Sequence, residues 1–336
     1  MSQVCHYLHA EDFLSAAHAY LKDEEASANI VLAHAWSLRD SQRHDPVERV
    51  SQQDLIVPES TSHWISVSMP CVLEGRRGFS VKLVLSCVKG ELGNYPIFLW
   101  VAPGASETEM ASVVESATGK LASLVHPKRV FSVFGALAVV NTFARAWTML
   151  TGYHTVQDPY YHALLGKCTT RSLSKTQDSL PVGDTIRVAG GADIDVAAVM
   201  CKEFSRTSHF PLSVEKAGAE ARLLISRGQL FVYESKGTIA AVCAITRATE
   251  HVAAVTMVYT LPRFRNKGSA ERLVHHATNE TLRDGKKSTV VLYVGVLNSA
   301  RKIYDRIGFM GLDARPGAVV EEVLELGFMG TEKGHW

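Results

Sequence analysis

Apolar residues recur at helical and then strand spacing, in an order that the chain presents twice. In AEDFLSAAHAYLKD, Phe13, Leu14, Ala17 and Leu21 share one helical face with Asp12 near the start, and EEASANIVLAHAWSL repeats the pattern. Between His63 and Val101 the period shortens: WISVSM, FSVKLVLSCV and YPIFLWVA read as strands parted by Gly, Pro and Asn. ETEMASVVESATGKLASLV predicts a helix, VFSVFGALAV a strand at its start, and FARAWTMLTGY a helix ending at Gly152. The second half repeats this order. DTIRVAG is a short strand, ADIDVAAVMCKEFSRTS and SVEKAGAEARLLISRG are helices, and QLFVYESKGTIAAVCAITRATEHVAAVTMVYT divides into three antiparallel strands. A helix from about Ala270 to Asp284, the strand STVVLYVGV and the helix SARKIYDRIGF complete the series.

Two landmarks make the repetition checkable. ARAWTMLTGY (Ala144 to Tyr153) and ARKIYDRIGF (Ala300 to Phe309) share an Ala-Arg start, a central aromatic and a final Gly-aromatic pair. Between the copies, GKCTTRSLSKTQDSLPVGD is polar and poor in large apolar residues, which predicts a linker over 166–183. The expected organisation is one domain over 1–165, this linker, and a second domain over 184–336. The expected fold class is α/β of the α+β kind: two tandem domains, each a mixed and mostly antiparallel sheet flanked by helices.

Composition narrows the functions. Thirty-five Lys and Arg against thirty-four Asp and Glu leave a net charge of +1, so no overall field favours nucleic acid or an anionic membrane. Nowhere do about 18 apolar residues run together, and MSQVCHYLHAEDFL lacks the form of a secretory signal. A cytoplasmic protein, monomeric or weakly dimeric, is expected. Cys5, Cys71, Cys87, Cys168, Cys201 and Cys243 form no CxxC pair and are expected as free thiols. His275 and His276 are adjacent and point about 100° apart on a helix, so they cannot chelate together, and no metal is expected.

The chemistry concentrates in LPRFRNKGSAERLVHHA, Leu261 to Ala277. A helix start offers unpaired N–H groups and the positive end of the helix dipole, which suit phosphate. Gly268 lets the backbone come close, Ala270 keeps the first turn narrow, and Arg265 and Lys267 add positive charge. A basic turn before an ordinary helix is the plain alternative. Neither GxGxxG nor GxxxxGK[ST] is present, and the turn follows an antiparallel strand.

Arg265-x-x-Gly268-x-Ala270 after VAAVTMVYT resembles the pyrophosphate loop of the GNAT superfamily of acyl-CoA N-acyltransferases, of the form Q/R-x-x-G-x-G/A. SARKIYDRIGF resembles a second motif of that superfamily, matched by Ala300, Tyr304, Gly308 and Phe309, and the likeness covers Asp184 to about Leu326. The first half is similar to the degenerate copy found in tandem members. The resemblance implies an acyl-CoA co-substrate, acetyl-CoA first among them, and transfer to the amine of a small molecule. Transfer to a protein lysine or N-terminus, and a non-catalytic acyl-CoA sensor, are the alternatives. It further implies that Arg265, Asn266, Lys267, Gly268, Ser269 and Ala270 hold the pyrophosphate and that Val258, Tyr259 and Thr260 pair with the pantetheine. Asn298 and Arg301 would add CoA contacts, and a gap would open between strands at Val258 and Leu292. Tyr304 would protonate the departing thiolate, its alternative being a packed helix aromatic.

Two departures from the family pattern stand out. The usual asparagine would fall at Leu297, whereas the chain has Asn298. The glutamate that often serves as base would fall at Ala254, leaving Glu250 and His251, or Glu234 and His209, as candidate bases that also read as solvated surface groups. The first half has PGASETEMAS where the loop should be, and the charges of Glu107 and Glu109 would repel a pyrophosphate. One CoA site, in the second half, is expected.

Overall fold

The computed structural model describes residues 2–44, 62–73, 76–175, 179–313 and 319–335. In chain order the elements are β1 (Gln3–Tyr7), α1 (Ala10–Leu21), α2 (Asn29–His44), β2 (His63–Leu73), β3 (Arg76–Gly90), β4 (Gly93–Val101), α3 (Glu107–Ala122), β5 (Ser132–Ala136), α4 (Leu137–Thr151) and β6 (Tyr161–Thr169). Then come β7 (Asp184–Val188), α5 (Ile194–Ser205), α6 (Val214–Ser226), β8 (Leu230–Ser235), β9 (Thr238–Thr246), β10 (Val252–Thr260), α7 (Ser269–Arg283), β11 (Thr289–Gly295), α8 (Arg301–Ile307) and β12 (Glu322–Gly327).

The chain divides into two units: Met1–His162 with Glu322–Trp336, and Ala163–Glu321. In the first, the strands lie in the order β1-β2-β3-β4-β5-β12, with β4 and β5 parallel and the other neighbours antiparallel. In the second, the order β7-β8-β9-β10-β11-β6 has one parallel pair at the corresponding place, β10 with β11. Each unit places two helices after its first strand, one between the parallel strands and one after them. This is the expected class, mixed α/β with mostly antiparallel sheets.

The units differ from the sequence-based boundaries at both ends. β6 precedes the expected linker yet pairs along its length with β11, and β12 follows everything in the second unit yet pairs with β5 in the first. The linker expected at 166–183 begins inside β6, whose Leu164, Leu165 and Cys168 are buried; 176–178 lie outside the described residues. The polar tail of that strand, Gly-Lys-Cys-Thr, hid its apolar alternation.

Each unit has its own core. In the first, Phe143 and Trp147 of α4 and Val113, Val114 and Leu121 of α3 cover the sheet. In the second, Leu273, Val274 and Ala277 of α7 pack with Val255, Val290 and Leu292, while Met200, Ala217 and Ala221 of α5 and α6 pack with Val232, Val242 and Met257. The amphipathic periods seen in the sequence are these faces. Among the described residues no helix is long and apolar enough to cross a membrane, no three His, Cys, Asp or Glu could hold a metal, and all six cysteines are free. His275 is buried with Nε2 2.8 Å from the Ser174 carbonyl oxygen, a packing role.

Candidate active site

The site begins where a strand pair parts. β10 keeps its antiparallel register with β9 as far as Thr260↔Ala241, shifting between Val255 and Met257. Its parallel register with β11 runs from Val252↔Thr289 only to Val255↔Leu292, although β10 continues to Thr260 and β11 to Gly295. β11 meanwhile stays in register with β6 to Gly295↔Ala163. Each strand is thus held on its outer edge while the shared register stops, which leaves a wedge; since Leu261 N–H bonds the Ala240 carbonyl of β9, the alternation of the ladder turns Tyr259 to β9 and the main-chain groups of Val258 and Thr260 to the wedge. The gap expected at Val258 and Leu292 opens at Val255 and Leu292. Val258 packs with the α7 core and Tyr259 with the α5/α6 core, so this stretch is anchored on both faces.

The loop after β10 leads to a helix start without a cap. Pro262–Phe264 form one turn of 3-10 helix, and Arg265 is extended, with Nε donating to the Thr260 carbonyl at 3.1 Å and its guanidinium 5.7 Å from the Tyr259 ring centre. Asn266 and Gly268 are left-handed, at φ 61° and 77°, a region that glycine and asparagine tolerate best. No side chain caps α7 at Gly268. The N–H groups of Ser269, Ala270 and Glu271 have no acceptor within the helix and carry its positive pole. Arg263, Arg265, Asn266 and Lys267 are exposed around them. The one acid in this turn is neutralised: Arg306 donates to both oxygens of Glu271, at 2.9 and 2.6 Å, and holds that carboxyl below its ordinary range.

The corresponding place in the first unit is closed. Ser106 and Glu109 form a capping box: Glu109 N–H donates to Ser106 Oγ at 3.2 Å and Ser106 N–H to Glu109 Oε2 at 3.0 Å. A carboxylate occupies the position an anion would take. The parallel register there covers only Ile97↔Val133 and Phe98↔Phe134, with the backbones still close one residue further on, where a Cβ on Gly135 of β5 would meet the Leu99 carbonyl oxygen of β4 at 2.7 Å.

The remaining candidates fall into two groups. Tyr304 of α8 is half-buried and edge-on to Phe309, ring centres 6.1 Å apart. Asn298 Oδ1 accepts from Ala300 N–H at 2.9 Å and Arg301 donates to the Val296 carbonyl at 2.9 Å, so both hold the turn into α8; Leu297 beside them is 97% exposed. Glu250 and His251, by contrast, sit in the turn before β10, with side chains 54% and 56% exposed. They lie at the paired end of β10, four or more residues before the wedge, which at about 3.3 Å per residue is about 13 Å or more. That exceeds the reach of direct proton transfer. Glu234 accepts from Arg187 at 3.1 Å, an ion pair, and His209 is exposed between α5 and α6. Ala254 is buried and paired with Val291.

Residues 226–310, from the end of α6 through β8 to β11 and α8, match the family model for the acetyltransferase (GNAT) domain. The likeness to that family thus lies within the second unit. Solved structures share the fold of the chain as a whole. A Drosophila protein aligns with TM-score 0.58 at 13% identity, over 94% of this chain and 95% of its own. A GCN5-related N-acetyltransferase from Sphaerobacter thermophilus aligns with TM-score 0.52 at 14% identity, covering 99% and 97%. A GNAT-family acetyltransferase from Colwellia psychrerythraea aligns with TM-score 0.50 at 13% identity, covering 97% and 99%. A search of curated protein sequences gave no match. Sequence reasoning missed two features at the start of α7, the Glu271–Arg306 pair and the Arg272 bond to the Lys267 carbonyl; the charges in GSAERL were the available signal.

Proposed function

We propose that the GNAT domain transfers an acyl group, acetyl in the first instance, from acyl-CoA to the amine of a small molecule. One observation carries the reading: the uncapped, positively ringed start of α7 follows directly from the strand whose pairing ends in the wedge. The N–H groups of Lys267 to Glu271 suit the CoA pyrophosphate, and the β10 main chain from Val258 to Thr260 suits the pantetheine amides. The thioester carbonyl would then lie in the wedge. The amine nitrogen attacks that carbonyl, the tetrahedral oxyanion collapses, the C–S bond breaks, and the amide forms. Tyr304 gives its phenolic proton to the thiolate, and the proton lost by the amine passes to water. The capping box at Ser106 supports a non-catalytic first unit and one acyl-CoA per chain.

The test follows thiol release from acetyl-CoA against a panel of small amines, with a lysine peptide alongside. Amine-dependent release on the small amines supports the proposal. Release on the peptide alone would move the assignment to protein acetylation, and tight acetyl-CoA binding without any release would make the domain a sensor.

A further inference from the structure

Arg272 is the fourth residue of α7, and it holds two successive carbonyls of the loop before it. Its side-chain NH1 donates to the Lys267 carbonyl at 3.0 Å, and its main-chain N–H donates to the Gly268 carbonyl at 3.1 Å. In a planar trans peptide the C=O and the N–H of the next residue point in opposite directions. Drawing the carbonyls of Lys267 and Gly268 toward Arg272 therefore turns the N–H groups of Gly268 and Ser269 away from it, to the open side of the turn. Only glycine leaves room for this arrangement, because a Cβ at Gly268 would fall 2.6 Å from NH1 of Arg272.

A hydrogen-bonded acid lies beyond the loop. Asp184, at the start of β7, accepts from the Tyr233 phenol at 2.6 Å and from Ser235 Oγ at 2.8 Å. The Tyr233 and Ser235 hydrogen bonds first, and the charges of Lys236 and Arg272 after them, hold the Asp184 carboxyl below its ordinary range, while burial and Asp184 push the Tyr233 phenol up against the opposing influence of Arg272. Glu271, the other acid near it, is engaged by Arg306.

We propose that Arg272 is a positioning residue for acyl-CoA: bound to the Lys267 carbonyl, with the Asp184 cluster beyond it, it presets the left-handed turn so that the amides of Gly268 and Ser269 face the pyrophosphate. This rests on the reading of 265–270 as the pyrophosphate loop. Preset amides bind without first being ordered, so the effect belongs to affinity and not to the chemical step.

The experiment uses the full chain and acetyl-CoA, by calorimetry and steady-state kinetics, on Arg272→Met, Arg272→Lys, Asp184→Asn and Gly268→Glu. Arg272→Met is expected to weaken binding about tenfold, the size of one hydrogen bond made by a charged group. KM for acetyl-CoA should rise in step while kcat at saturation stays within about twofold. Arg272→Lys should fail to rescue, since an ammonium lacks the planar fork. Asp184→Asn is the discriminating variant: it frees the cation, so a direct phosphate ligand would bind as well or better, whereas a positioning residue binds less well. Its loss should not add to that of Arg272→Met in the double variant. Should Arg272→Met melt cold, Asp184→Asn decides alone. Affinity unchanged or raised in Asp184→Asn, with binding abolished in Gly268→Glu, overturns the positioning role and keeps the loop. Normal binding in Gly268→Glu overturns both.

Discussion

Replacing Gly268 by alanine adds one methyl group, and the structure says where its cost must appear. Gly268 sits at φ 77°, and a Cβ there would meet Arg272 at 2.6 Å. The left-handed conformation costs an L-residue roughly 1–2 kcal/mol. Displacing the arginine from the Lys267 carbonyl forfeits about 1 kcal/mol more. The total of about 2–3 kcal/mol can be taken in two ways. If the variant keeps the turn, the folded state carries the strain, and for a unit of this size the melting temperature falls by about 4–12 °C with acetyl-CoA affinity little changed. If the turn relaxes, melting is unaffected, but binding must rebuild it and Kd rises by about 30–150-fold. Calorimetric melting and acetyl-CoA titration on the same preparation measure both shares. A variant that melts within about 1 °C of the parent and binds within about twofold would refute this account of the glycine.

Tyr304→Phe keeps the ring against Phe309 and removes the hydroxyl, so kcat should fall by about 10²–10⁴-fold with acetyl-CoA affinity unchanged; full turnover would remove Tyr304 from the mechanism. Equilibrium dialysis should find one acetyl-CoA per chain, since α3 is capped by its own glutamate; two sites of similar affinity would contradict that. In the first unit, burial pushes Glu325 up to about 7, against the Ser132 hydroxyl that donates to it at 2.7 Å. Its unfolded value is near 4.5, so the native state binds the extra proton in between and stability falls as pH rises from 4.5 to 7, by about 3 kcal/mol. His63, held down to about 4 by burial, acts in the opposite sense, its contribution growing as pH rises from 4 to 6.5. The difference between parent and Glu325→Gln melts isolates the carboxyl: the variant should be the more stable at pH 8 and equal at pH 4, and parallel curves would show that Glu325 does not titrate there.

The elements with long amphipathic periods or runs of β-branched residues were legible in the sequence, α1, α3 and α7 among them, because their burial is set by local spacing. β1, β6 and β12 were not. Each is a short segment whose strand identity comes from a distant partner: Gln3–Tyr7 from β2, Tyr161–Thr169 from β11, Glu322–Gly327 from β5. α4 starts at Leu137, earlier than expected, because GALAV reads as strand from its own composition and becomes helix in its context. The loop at Gly268 was readable since glycine, charge and helix start are contiguous. Which end of β10 parts from β11 was not, and Glu250 and His251, attractive as types, lie at the paired end. The bond from Arg272 back to the Lys267 carbonyl was equally hidden, since it depends on the left-handed turn between them.

The exchange of end strands has a consequence for how the chain is made. As synthesis proceeds, the first unit gains β1 to β5 and both of its core helices, yet its sheet lacks an edge until β12 emerges, after every element of the second unit. β6 is made early but must wait for β11. The first unit therefore cannot finish its sheet until the whole of the second has been made, and β5 and β6 expose unpaired edges in the interval, open to pairing with another chain. Contacts of such sequence separation also slow folding. A fragment beginning at the linker would contain the matched segment 226–310 yet cut β6 at Gly166 and carry β12 without its partner, so cutting the gene there would leave β11 unpaired from Tyr293 to Gly295.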